Sequence, residues 1–113
     1  MSDVDDLAYG DLVLRLDGGV IELLMISRDG AYRVHANHAQ VSLRPTKHGD
    51  EVEVRIGTNY RQGGQPSGPI VTEDDVYAPW GPFKVPISEQ DRLVELFAEA
   101  ERRRVPVLGA VSY

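Results

Sequence analysis

Three histidines are the residues whose types and spacing come nearest to a metal site. His35 and His38 are separated by two residues, and His48 follows ten residues later. Imidazole binds zinc, but a tetrahedral site needs further ligands in a fixed geometry, and Asp50 or Glu51 would have to supply them. His35 falls in a predicted strand and His38 in a predicted turn, so their side chains need not converge. We therefore predict surface histidines beside turns, with no metal or other cofactor.

The remaining patterns for catalysis or ion binding are incomplete. No serine lies in the Gly-x-Ser-x-Gly elbow of a hydrolase nucleophile. The acidic residues 73–75 are neighbours in a predicted turn, and they do not alternate around a central glycine as in a calcium loop. Gly63-Gly64 is not followed by the Lys-Ser/Thr of a phosphate-binding loop. Since cysteine is absent, thiolate chemistry and disulfides are excluded as well. The sequence favours a protein that is not an enzyme.

Aromatic and arginine side chains shortly before the C-terminal helix form the main candidate interaction surface. Residues 57–69 contain four glycines and two prolines without apolar periodicity, which predicts a long loop. Long loops in compact domains are often functional, and aromatic residues and arginine anchor protein interfaces. The alternative is that Trp80 and Phe83 plug one end of the fold. The candidate residues are Tyr60, Arg61, Tyr77 and Trp80.

Alternating apolar and polar residues dominate the chain from residue 11 to residue 56, which is typical of strands with one buried face. The clearest case is residues 51–56. Residues 20–26 are apolar at six of seven positions, so this strand is expected deep in the fold. Turn residues such as Asp17-Gly18-Gly19 recur about every ten residues, which favours an antiparallel meander of six to seven strands over βαβ units.

One amphipathic helix is predicted over about residues 88–104. Ser88 is a candidate N-cap, and the arginines at 102–104 suit the negative end of the helix dipole. Glu99 and Arg103 have the i, i+4 spacing of an ion pair. An apolar stripe at i, i+3, i+4 and i+7 would cover the apolar face of the sheet. Its members are Leu93, Leu96, Phe97 and Ala100.

Composition restricts the class of protein and its partners. The 113 residues suit one domain. We expect a loose acidic leader at 1–10, a single β-rich domain at 11–104 and a tail at 105–113. The formal net charge of −6 disfavours nucleic acid and anionic membrane surfaces as partners. The acidic N-terminus lacks signal-peptide character, and the longest apolar run covers only residues 23–26. We therefore expect a soluble cytoplasmic protein.

Taken together, the predicted elements resemble a bacterial pleckstrin-homology-like (PH-like) domain. The similarity lies in the strand pattern of residues 32–35, 40–45 and 51–56, and in the strand-to-helix passage at 83–88. It implies an antiparallel barrel or roll capped by the C-terminal helix. The competing architecture is a generic α+β roll or a sandwich with one helix. Phosphoinositide-binding members of this family carry basic residues around the first hairpin loop, whereas residues 17–19 are acidic, so no phosphoinositide partner is expected.

The resulting functional hypothesis is a non-catalytic intracellular protein-interaction or scaffold domain. Its contacts would use the glycine-rich loop, the Trp80 segment or an edge strand, and strand pairing at an edge would also allow a homodimer. The alternative from another class is a small-ligand-binding β-barrel module, which would need a concave cavity with converging polar groups. A small enzyme is the third hypothesis.

Overall fold

The computed structural model describes residues 4–58 and 68–105. This part of the chain is an α+β fold with two antiparallel sheets and one C-terminal helix, and the sheets do not close into a barrel within it. Sheet A consists of β1 (Val4–Tyr9), β2 (Leu12–Asp17), β3 (Val20–Met25) and β4 (Ala31–His35). Sheet B consists of β5 (Ala39–Pro45), β6 (Glu51–Thr58) and β7 (Phe83–Pro86). A 3-10 turn (Ile87–Glu89) leads into α1 (Gln90–Arg102).

The expected antiparallel sheet structure of six to seven strands with a C-terminal helix is confirmed, and the described chain has seven strands. The prediction of a loose leader is wrong for residues 4–9. These residues form β1, which pairs with β2 along its whole length. Leu7 is buried opposite Leu14, and this contact holds the strand on the core despite its acidic neighbours. Gly10, with φ of 60°, adopts the left-handed conformation that the tight turn to β2 requires.

Sheet A buries one face in the core, and most side chains on its other face are exposed or half-buried. Leu14 and Leu23 are paired across β2 and β3, and both are buried in the core that the two sheets share with α1. The turn at residues 18–19 connects these strands as expected, with Gly18 at φ 58°. Strand β3 ends at Met25, and the Ile26 side chain is 79% exposed, so only the earlier part of residues 20–26 lies deep in the fold.

The chain leaves sheet A at Ala36 and enters sheet B at Ala39. Residues 70–72 run beside β5 and form a single parallel bridge between Val41 and Val71. From there the chain passes over β6 to β7. Gly57 permits this crossing, because a β-carbon at that position would overlap the backbone carbonyl oxygen of Tyr77.

Helix α1 covers the core with the predicted apolar stripe, all four members of which are buried. The predicted cap is wrong: Ser88 lies within the 3-10 turn, and Glu89 precedes the helix without a side-chain capping bond. Pro86, with φ of −56°, directs the chain into that turn before the helix begins. The expected pair between Glu99 and Arg103 is present at 3.2 Å. No helix in residues 4–58 or 68–105 is long and apolar enough to cross a membrane.

Candidate functional site

Two of the four residues of the candidate interaction surface, Tyr77 and Trp80, lie in the described chain. Tyr60 and Arg61 lie outside the described residues. The Tyr77 side chain is 82% exposed, as a contact residue would be. Trp80 is half-buried and packs against the core, and the Arg28 guanidinium lies 5.2 Å from the centroid of its ring. Trp80 therefore contributes to the fold itself, and the interaction role of this segment stays a prediction.

The histidine positions show no metal-binding geometry. The ring centroids of His35 and His38 are 6.4 Å apart, with the planes inclined by 60°. The Nδ1 atom of His35 accepts a 3.0 Å hydrogen bond from the backbone N–H of Asn37, so this nitrogen belongs to the turn after β4. Within the described parts of the chain, no group of three or more histidine, aspartate or glutamate side chains is placed to hold a metal ion.

A groove lies between β1 and α1 on the described surface. Its volume is about 460 Å³, and it is open to solvent. The strand forms one wall and the helix the other, with Leu7 and Leu96 supplying apolar surface between charged neighbours. The lining residues are Asp5, Asp6 and Leu7 from β1, and Arg92, Glu95, Leu96, Glu99 and Arg102 from α1.

Strand β1 offers backbone hydrogen-bonding groups to this groove. Among the described residues it is the outermost strand of sheet A and pairs only with β2. Tyr9 and Leu12 flank a two-residue hairpin loop, so they form a hydrogen-bonded pair, and such pairs alternate along an antiparallel ladder. The backbone N–H and C=O groups of Asp6 and Ala8 consequently point away from β2, toward the free edge.

The charged side chains of the groove are mostly paired. The Arg102 and Arg103 guanidiniums lie 2.9 and 3.2 Å from the Glu99 carboxylate, and hydrogen bonding from Arg102 lowers the pKa of Glu99. Arg103 also lies 3.4 Å from Asp5, which ties the end of α1 to β1. Glu95 is exposed and has no ion-pair partner among the described residues. The groove thus carries an excess of negative charge, with Glu95 available to a ligand.

Tyr9 lies at the other end of β1, near the start of α1. Its pKa is raised by burial and by the nearby Glu89 carboxylate, and Arg92 acts in the opposite direction. Arg92 in turn pairs with Glu89 at 3.1 Å. The phenol therefore stays neutral at physiological pH. Its ring packs against the core beside the groove. The direction of this pKa shift gives no indication of acid–base activation.

Two further hollows lie on sheet B. One, of about 510 Å³, is formed by β5, residues 71–73 and α1. The other, of about 330 Å³, contains basic side chains near the β5–β6 turn. Arg44 lines both hollows, but it is already held by the Glu73 carbonyl oxygen at 2.9 Å and the Asp75 carboxylate at 3.0 Å. The second hollow also contains Lys47 and Lys84, which have no ion-pair partner among the described residues.

Sequence reasoning missed the groove because it treated β1 as a leader. The signal was the alternation of Leu7 and Tyr9 with polar or small residues, followed by Gly10-Asp11, which is suited to a hairpin loop. Comparisons with protein-family models, with curated proteins and with solved structures find no match to this chain. The inference of function therefore rests on the geometry of the described residues.

Proposed function

We propose that this chain is a non-catalytic protein-interaction module that binds an extended peptide segment by strand addition to β1. The observation that carries the proposal is the backbone edge of β1, which has no strand partner within residues 4–58 and 68–105 and lines an open groove whose opposite wall is α1. In strand addition, main-chain hydrogen bonds supply affinity and neighbouring side chains supply specificity. The backbone N–H and C=O groups of Asp6 and Ala8 would supply the main-chain hydrogen bonds. The exposed side chains of α1 would supply specificity.

The charge of the groove indicates the chemistry of the peptide. Four acidic and two basic side chains line it, and Glu95 is without an ion-pair partner in the described chain. A lysine or arginine in the added strand would pair with Glu95, and an apolar neighbour would contact Leu7 and Leu96. The same negative charge disfavours phosphoinositides and nucleic acid as partners. Under this proposal the partner is a protein, and the module acts in the cytoplasm.

A PH-like barrel or roll remains our proposal for the finer architecture. It is supported by consecutive antiparallel strands in sheets of four and three, followed by a helix that covers the core. The small-ligand-binding alternative has less support, because the hollows found in the described chain are open grooves and none is an enclosed cavity. An enzyme is the least supported, since the described residues show no catalytic constellation.

Binding can be tested without knowing the natural partner. The full chain is panned against a phage-displayed library of random peptides, and the strongest binder is synthesised and titrated into ¹⁵N-labelled protein. We expect the enriched peptides to carry a basic residue beside an apolar one. The largest amide shifts should fall in β1 and in the part of α1 that contains Arg92, Glu95 and Glu99. Failure to enrich any binder, or shifts that map to another surface, would contradict the proposal.

A pair of proline variants isolates the edge contribution. Ala8→Pro removes a backbone N–H that points to the groove, and proline is tolerated at such edge positions. The matched control is Ala31→Pro on β4, which is the opposite edge strand of sheet A. Hydrogen-bonded pairs alternate from the Asp17–Val20 pair that closes the β2–β3 hairpin, so the N–H of Ala31 also points away from the sheet. We expect Ala8→Pro to abolish peptide binding and Ala31→Pro to preserve it. Equal binding by both variants would argue against strand addition at β1.

A further inference from the structure

The face of sheet A that points away from the core carries one charged side chain in each of its four strands, aligned in a single cross-strand row. Glu22 is the least accessible of the four, with 12% of its side chain exposed. Asp6 pairs with Arg15, Arg15 with Glu22, and Glu22 with Arg33 in the strand register. Arg15 lies 2.9 Å from Asp6, and Arg33 lies 2.8 Å from Glu22. The signs therefore alternate from β1 to β4 as negative, positive, negative, positive. We call this set the charge row.

An apolar row lies beside the charge row, two residues along each strand. Its members are also aligned by the register, and they are exposed or half-buried although none is polar. Leu24 and Val13 occupy its centre. Within the described chain, no helix or strand covers this face, since α1 packs on the opposite side with the core. The apolar row consists of Ala8, Val13, Leu24 and Ala31.

The charge row is complementary to itself. A twofold axis that runs parallel to the strands, midway between β2 and β3, stacks two copies face to face and places β1 over β4 and β2 over β3 of the second copy. Asp6 then faces the second copy's Arg33, and Arg15 faces the second copy's Glu22. Each charge meets its opposite, and the apolar rows meet each other. Aligned packing of two sheets is a standard arrangement, with the sheets about 10 Å apart.

The other twofold arrangement of two aligned sheets lacks this match. With a twofold axis perpendicular to the strands, each strand crosses its own equivalent, so a charge row centred on the axis would place Asp6 against Asp6 and Arg15 against Arg15. Like charges in direct opposition are unfavourable. The charge row has four members of alternating sign, so opposite charges face each other only when the row of the second copy runs in the reverse order. The twofold axis parallel to the strands reverses that order, and the perpendicular axis does not.

We propose that the exposed face of sheet A is a homodimer interface with its twofold axis parallel to the strands. At about 4.8 Å between strands and about 3.4 Å per residue, four strands of about six residues present roughly 400 Å² per copy. This area is small among protein interfaces, so the dimer is weak and reversible. The free edge of β1 stays accessible in it, so dimerisation and peptide binding are independent of each other.

Charge reversal at the centre of the row gives a sharp test. In Arg15→Glu, residue 15 and the second copy's Glu22 repel each other twice by symmetry, and in Glu22→Arg residue 22 and the second copy's Arg15 do the same. We expect each single variant to weaken self-association about tenfold or more. Sedimentation equilibrium from about 10 μM to 1 mM covers the expected range for a weak dimer. A monomeric wild-type protein throughout this range would overturn the proposal.

Mixing the two single variants tests directly whether residue 15 faces residue 22 of the second copy. When Arg15→Glu and Glu22→Arg chains are combined, the reversed charges face each other across the axis, so a heterodimer should form where neither homodimer does. The double variant should likewise regain self-association. Persistent dimers in both single variants, or no association in the mixture, would show that this face is not the interface.

Controls separate loss of folding from loss of contact. Each variant also places like charges side by side within its own sheet, so circular dichroism melts at low concentration establish that the monomer is intact. Leu24→Ser provides a second route, because it alters the apolar row and leaves the charges unchanged. Its matched control is Val94→Ser, which removes an exposed apolar side chain from α1. We expect Leu24→Ser alone to weaken the dimer, and an equal effect of both would contradict the assignment.

Discussion

The Nε atom of Arg104 donates a 2.9 Å hydrogen bond to the backbone carbonyl oxygen of Ala36. Ala36 is buried where the chain passes from sheet A to sheet B. The same guanidinium donates to the carbonyl oxygen of Gly68 at 2.7 Å and to that of Ala39 at 3.4 Å. An arginine expected only to suit the helix dipole thus ties the end of α1 to the junction of the two sheets.

Removing this guanidinium should destabilise the fold. Arg104→Met keeps much of the aliphatic stem but leaves the Ala36 and Ala39 carbonyl groups without a charged donor, at a cost of about 3 kcal/mol in the free energy of unfolding. The control is Arg102→Met, because the Arg102 side chain is 65% exposed and, among the described residues, its guanidinium is bonded only to Glu99. That change should cost less than about 1 kcal/mol. Urea titrations measure both, and equal losses would refute the role of Arg104.

Gly57 should not tolerate a side chain. In Gly57→Ala the added β-carbon would collide with the backbone carbonyl oxygen of Tyr77, and backbone atoms on both sides of the contact would have to move. We expect a loss of about 2–3 kcal/mol in the free energy of unfolding. The exposed neighbour Thr58 provides the control, and Thr58→Ala should change stability by less than about 0.5 kcal/mol. A stable Gly57→Ala protein would show that the crossing segment is not closely packed on β6.

Glu99 should make stability dependent on pH in the acid range. Its pKa is lowered in the folded protein, mainly by the hydrogen bond from Arg102, relative to an ordinary value of 4.5. The carboxylate therefore stabilises the fold above about pH 4.5, and this contribution is lost as the pH falls through the lower folded pKa. The stability difference between wild type and Glu99→Gln should shrink between pH 7 and pH 3. A difference that stays constant or grows toward low pH would exclude this linkage.

Trp80 and Tyr77 should respond differently to truncation. Trp80 packs against the core beneath Arg28, so Trp80→Ala should lower the free energy of unfolding by about 2 kcal/mol or more. Tyr77 is 82% exposed, and Tyr77→Ala should have almost no effect on stability. Trp80 is the only tryptophan, so a shift of its emission in Arg28→Gln reports the contact directly. Similar thermal melts for both alanine variants would place Trp80 outside the core.

Local pattern was sufficient for most of the elements. Strand β6 and the buried stripe of α1 lie where residue alternation and helical spacing predict them, because period and hydrophobicity are local properties. Strand β1 was not predicted, because the acidic residues Asp5 and Asp6 suggested a loose leader. In the structure, burial of Leu7 holds this segment in sheet A. The start of α1 was displaced because Pro86 favours a 3-10 turn before the helix.

The candidate site was much less predictable. Tyr77 is exposed and Trp80 packs against the core, although the two residues lie in one proline-punctuated segment of the sequence. Nothing in their residue types distinguishes these positions, because both side chains combine apolar surface with a polar group. The groove between β1 and α1 was not anticipated, since it depends on how the two ends of the described chain pack together.

The sequence by itself determined the alternation of buried and exposed residues, the tight turns and the apolar face of the helix, because each depends on neighbours within a few positions. Only the tertiary structure decided which sheet each strand joins, where β1 meets α1 and what the helix-end arginines bind. Arg104 and Ala36 are separated by 68 positions. Their contact follows from the packing of whole elements, which no local period specifies.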